Sequence, residues 1–123
     1  MQKKRILVVD DERHMQRLLQ FTLEKTGAVV QTAGSGQEAI ECLRTEPADL
    51  VCLDLVMPGM DGFDTVREIR NEPALKDIPV IMLTSRGWDE TREKASGLRI
   101  VAYFTKPFSP TELIAQAKKI LGL

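Results

Sequence analysis

Short apolar runs alternate along this chain with longer segments in which apolar residues recur every three or four positions. The runs at 5–10, 28–33, 49–54, 78–84 and 100–104 have strand length and near-continuous apolar character, the pattern of strands covered on both faces. The first segment of helical period carries Met15, Leu18, Leu19, Thr22 and Leu23 on one stripe and ends at Gly27. The second opens at Ser35 with Glu38 three residues on, buries Ala39, Ile40 and Leu43, and stops before Pro47. The third holds Phe63, Val66 and Ile69 and gives out near Asn71 to Pro73. The last starts with Ser109 as a cap, Pro110 at the first helical position and Glu112, and carries Leu113, Ile114, Ala117, Ile120 and Leu121. The fourth, at 88–95, offers little apolar stripe beyond Trp88, Thr91 and Ala95 and is expected to be the least firmly packed element. This alternation predicts an α/β fold of flavodoxin-like, doubly wound (βα)5 type. Its five-stranded parallel sheet has order 2-1-3-4-5, and ligands bind outside the carboxyl ends of the strands between the first and the third.

The chemically interesting polar residues all fall at that same end of a strand. Asp10 and Asp11 close the first run, Asp54 the third and Thr84 the fourth, while Lys106 and Pro107 follow the fifth. A Gly/Pro-rich breaker, from Val56 to Gly62, begins just beyond Asp54 and marks the mouth of a site. Three carboxylates at one strand edge repel each other and call for a compensating cation. Few side-chain ligands and no Cys/His set favour Mg²⁺ over Ca²⁺ or zinc. Lys106 adds a point charge and Thr84 a hydroxyl donor for further anionic oxygens. Together these parts suit an incoming phosphoryl group with Asp54 as nucleophile.

In the contexts LDLVMPGMDG and FTKPF, these residues make the chain resemble the receiver domain of two-component response regulators, a similarity running from about Arg5 to Leu121. The resemblance implies that Asp54 takes a phosphoryl group from a phosphohistidine on a sensor histidine kinase or phosphotransfer protein, becoming a 4-aspartylphosphate. It further implies that Asp11, Asp54 and the backbone carbonyl of Val56 bind Mg²⁺ directly, with Asp10 acting largely through water. A cis peptide before Pro107 would aim Lys106 into the site. Thr84 and Tyr103 would form a switch acting on the surface of the fourth helix, last strand and last helix, offered to an output partner or a homodimer. Such a domain is a signalling phosphoacceptor that catalyses only its own phosphorylation and dephosphorylation, not a turnover enzyme. Taken singly, the same residues have plainer readings: a solvated helix start for the acidic pair, a strand-end cap for Thr84, half-buried packing for Tyr103, a surface position for His14 and loop packing for Met57 and Met60.

Three departures from the receiver pattern stand out. The segment 97–103 is about two residues longer than the common spacing. Apolar Val56 stands two residues beyond Asp54, and Arg86 two beyond Thr84, so neither place holds a side chain that could act as a base on water approaching an acyl phosphate. Trp88 serves either as cover for the fourth helix or as part of a partner surface.

Bulk properties narrow the alternatives. With 123 residues, 43 % hydrophobic, 28 % charged and a net charge of -1, the chain reads as one domain, which the resemblance implies is a receiver domain over 1–123, with no signature of direct nucleic-acid or membrane binding. A polar start without the apolar core of a signal peptide points to the cytoplasm. Cys42 and Cys52 read as buried free thiols. A phosphatase of haloacid-dehalogenase type would need an acid where Val56 stands, and Asp10-Asp11-Glu12 would repel the phosphate of a flavodoxin's flavin. Ending at Leu123, the chain is expected to be a stand-alone regulator or a piece parted from its effector domain.

Overall fold

A computed structural model describes residues 3–85 and 97–123; the helix expected at 88–95, with Trp88, and the flanking Arg86 lie outside the described residues. In chain order the elements are β1 (Arg5–Val9), α1 (Arg13–Glu24), β2 (Val29–Ala33), α2 (Gly36–Thr45), β3 (Leu50–Asp54), α3 (Gly62–Asn71), β4 (Val80–Thr84), β5 (Ala102–Thr105) and α4 (Pro110–Leu121). The strands form one parallel sheet in the order β2-β1-β3-β4-β5, the expected doubly wound topology. β3 and β4 are buried at every position, whereas the edge strands β2 and β5 are partly exposed, as continuous apolar runs inside and mixed runs outside require.

Strand side chains divide by alternation between two cores. Leu7, Val9, Val51, Leu53, Val80 and Met82 face α2 and α3, where they meet Ala39, Ile40, Leu43, Phe63, Val66 and Ile69. Ile6, Val8, Leu50, Cys52, Ile81 and Leu83 face α1 and α4, meeting Leu19, Leu23, Leu113, Ala117 and Leu121. Burial on both sheet faces makes the strand registers costly to slip, because a one-residue shift would exchange the two cores.

Local signals set the helix starts. Ser35 Oγ accepts from Glu38 N–H, and Ser109 Oγ accepts from Glu112 N–H with Pro110 in the first turn. Asp61 and Asp64 form a reciprocal capping box on α3. α1 lacks a side-chain bond from its cap residue Glu12; instead Asp10 Oδ1 accepts from the Glu12 amide at 2.9 Å. The chain leaves α1 through Gly27 at φ 93°, a conformation that favours glycine.

Several expectations are corrected in detail. Leu18, placed on the buried stripe of α1, is 46 % exposed, because that helix meets the sheet along Leu19, Thr22 and Leu23 and Leu18 lies a step around from this line. Cys42 is half-buried rather than buried. β4 begins at Val80, not at 78, since the Ile78 amide is used in a turn to Leu75 and Pro79 has no N–H to give. β5 likewise starts late, at Ala102.

At Gly36, in the first turn of α2, helices α2 and α3 approach closely: an added Cβ would lie 2.2 Å from Thr65 Oγ1 and 2.9 Å from Met60 Sδ. Gly36→Ala is therefore expected to lower unfolding free energy by about 1–3 kcal/mol, despite the better helix propensity of alanine. Urea denaturation would show this as a lower midpoint at unchanged slope.

Candidate functional site

Because the sheet is parallel, all five strands end at one edge, and β1 and β3 lie side by side where the winding reverses direction. The chain continues from β1 into Asp10 and Asp11, and β3 ends on Asp54. Asp10 is fully buried and Asp54 is 6 % exposed, whereas Asp11 is exposed to solvent. One carboxylate oxygen from each of the three lies within 4.8 Å of the others. Burial of like charges at this spacing is unfavourable without a cation.

Lys106 supplies part of the compensation. Its ammonium lies 3.3 Å from Asp10 Oδ2 and 3.4 Å from Asp54 Oδ2, bridging the two buried acids. The backbone holds it there from both sides: Lys106 N–H donates to Thr84 C=O at 2.8 Å, and the Lys106–Pro107 peptide is cis, as the resemblance implied. Thr84, closing β4, is 1 % exposed. Tyr103 pairs in register with Met82 and is half-buried against the α2/α3 core. The residues singled out in the sequence, Asp10, Asp11, Asp54, Thr84 and Lys106, thus fall along one sheet edge, with Tyr103 on β5 three positions before Lys106.

The remaining oxygens of the buried acids are held by amides. Asp10 Oδ1 accepts from Glu12 N–H, and Asp54 Oδ1 accepts from Val56 N–H at 3.3 Å. Gly62 brings the start of α3 against this strand end: its N–H donates to Leu55 C=O at 2.8 Å, and an added Cβ would come within 2.8 Å of the Asp54 carbonyl oxygen. Residues 55–61 are consequently folded back as a short loop, with Met57 buried and the Val56 side chain 48 % exposed at the mouth.

Burial pushes the Asp54 carboxyl above its ordinary value; the Lys106 charge opposes this, and the nearby Asp10 carboxylate reinforces it. For Lys106, burial acts downward, but attraction to Asp54 and Asp10 outweighs it and the ammonium is held above its usual range. Cys52, two residues before Asp54 and fully buried, has its thiol pushed up to about 12, chiefly by burial and then by Asp10, and is inert. Burial also raises the Tyr103 hydroxyl.

Among the described residues this all-oxygen cluster sets three acids against one ammonium and retains net negative charge, which suits a hard divalent cation such as Mg²⁺. One contact escaped the sequence reading: Gln16 Nε2 donates to the Asp10 carbonyl at 2.7 Å. A glutamine on the first helix carries no local signal that it reaches back to the strand end.

Comparison with known proteins agrees with this arrangement. The family model described as the response regulator receiver domain matches residues 6–118. The alkaline phosphatase synthesis transcriptional regulatory protein PhoP of Bacillus subtilis is 43 % identical over 120 residues, covering 96 % of this chain and 48 % of the relative. The probable transcriptional regulator ycf27 of Porphyra purpurea is 44 % identical over 122 residues, covering 98 % and 48 %. The chain therefore spans about half the length of the curated relatives it matches. Among solved structures, the chemotaxis protein CheY4 of Vibrio cholerae superposes with a TM-score of 0.90 at 28 % identity, covering 97 % of this chain and 99 % of that one. Shared along nearly its whole length with such proteins, this chain belongs to the response regulator receiver domain family of two-component systems.

Proposed function

We propose that residues 1–123 form a receiver domain that accepts a phosphoryl group on Asp54 from a phosphohistidine of a sensor histidine kinase or phosphotransfer protein. The observation that carries this reading is the convergence of Asp10, Asp11 and Asp54 within 4.8 Å beside the Lys106 ammonium. An Asp54 carboxylate oxygen attacks phosphorus, the P–N bond breaks, and its electron pair leaves with the imidazole nitrogen, which takes up a proton. Asp10, Asp11, Asp54 and the Val56 carbonyl would hold Mg²⁺, which when bound supplies neutralisation of charge on the transferring oxygens. Lys106 reaches the site from β5 as a fixed cation for a phosphoryl oxygen, and the Thr84 hydroxyl offers a donor to another. Drawn toward the acyl phosphate, Thr84 makes room for Tyr103 to turn inward, which alters the face formed by β5 and α4. That face, together with the segment 86–96, is the proposed output surface for a homodimer, a separate partner or an effector domain. The relatives named above are transcriptional regulators, which favours an output in transcriptional regulation. The chain acts on no substrate beyond its own phosphorylation and dephosphorylation. No helix of the described residues is long and apolar enough to cross a membrane. A domain that takes its phosphoryl group from a sensor kinase in this way would act in the cytoplasm.

Asp54→Asn is expected to abolish labelling by acetyl phosphate, and a chelator should do the same to the wild type; equal labelling of the variant would exclude Asp54 as acceptor. The same substitution carries a stability signature. Because the Asp54 carboxyl sits above its ordinary value, the native state holds this proton more tightly than the unfolded chain, so the carboxylate costs stability at neutral pH and the cost fades as pH falls through the raised value. With chelator present, Asp54→Asn should raise Tm at pH 7, and the gain should shrink on acidification. Val56, apolar and exposed at the mouth, cannot orient water for hydrolysis of the acyl phosphate. Val56→Asn is expected to shorten the lifetime of the phosphorylated state several-fold, read as phosphate loss after the donor is removed.

A further inference from the structure

The buried end of β1 contains a backbone carbonyl that the sheet does not satisfy. At the start of the β1–β2 pair Val29 N–H donates to Lys4 C=O, and at its end Asp10 N–H donates to Ala33 C=O. The same register would bring the amide of residue 35 to the Asp10 carbonyl, but Ser35 is the cap of α2 and the chain turns away. Gln16 Nε2 meets that carbonyl instead, at 2.7 Å. Asp10 is fully buried, so losing this donor would leave its carbonyl without a partner.

The Asp10 carboxylate does not depend on Gln16, since the Glu12 amide and Lys106 hold its two oxygens. What Gln16 holds is the peptide plane that joins the Asp10 carbonyl to the nitrogen and Cα of Asp11. The exposed Asp11 carboxylate has no hydrogen bond or ion pair to any described residue, so its approach to Asp10 and Asp54 is set by that backbone. We propose that Gln16 is a positioning residue for the divalent-cation site, fixing Asp11 through the Asp10–Asp11 peptide. This inference rests on the cation site proposed above and names a residue on which its affinity depends.

The fold contains its own control. Gln20, one turn along α1, donates its side-chain amide to the Val30 carbonyl at 3.2 Å, the same kind of bond to a strand backbone, away from the acids. Gln16→Met and Gln20→Met keep an unbranched side chain of similar length and remove the amide whose N–H makes the bond, and circular dichroism would confirm that both fold. Mg²⁺ titrated calorimetrically into wild type and both variants is expected to bind roughly tenfold more weakly to Gln16→Met, the range seen when outer-shell partners of metal ligands are lost. Gln20→Met should match wild type. Labelling of Gln16→Met by acetyl phosphate should recover to the wild-type rate at saturating Mg²⁺, since Asp54 and Lys106 are untouched. Equal affinity for Gln16→Met and wild type, equal weakening by both variants, or a labelling rate that stays low at saturating Mg²⁺ would overturn the inference alone. A wild type that binds no Mg²⁺ would overturn the cation site and this inference with it.

Discussion

Two carboxylates withdrawn from water, Asp10 and Asp54, lie on adjacent strand ends, and the Lys106 ammonium between them is what makes this sheet edge tenable. Charge burial of this kind is destabilising unless every polar atom is met. Among the described residues these atoms are met by one cation, Lys106, and two backbone amides, those of Glu12 and Val56. With Asp11 added, the cluster still carries more negative charge than Lys106 cancels. The edge is therefore predisposed toward a second cation. The burial that raises the Asp54 carboxyl costs stability, and it also strengthens every charge interaction at this edge.

That tension depends on a rigid frame. β3 and β4 are buried at every residue, and the two cores lock their register, so Asp54 and Thr84 cannot slide relative to Asp10. Lys106 is tied to the same frame, its N–H donating across the sheet to Thr84 C=O and its ammonium meeting both buried acids. The edge strands are held less completely: β2 and β5 are partly exposed, and Tyr103 on β5 sits half-buried.

Much of this was legible in the chain because it depends on local rules. Serine followed three residues later by glutamate marked the starts of α2 and α4, and both caps are present. The capping box of Asp61 and Asp64 lay hidden inside a stretch that reads mainly as a breaker. Leu18 went astray because a helical stripe identifies a face only to within a step of rotation, and the line of contact with the sheet is decided by the partner element.

The sequence by itself determined the alternation of strands and helices, the apolar faces and the placement of Asp10, Asp11, Asp54, Thr84 and Lys106 at strand ends, since each is encoded within a few residues of the position concerned. Tertiary structure alone decided which oxygen meets which proton. Lys106 bonds an acid 96 residues away, a contact that exists only once β1, β3 and β5 are registered in one sheet. Gln16 finds the Asp10 carbonyl because β2 turns away there and leaves that oxygen unpaired. Periodicity predicts faces, but hydrogen-bond partners at the end of a strand follow from where neighbouring backbones stop, which no local pattern records.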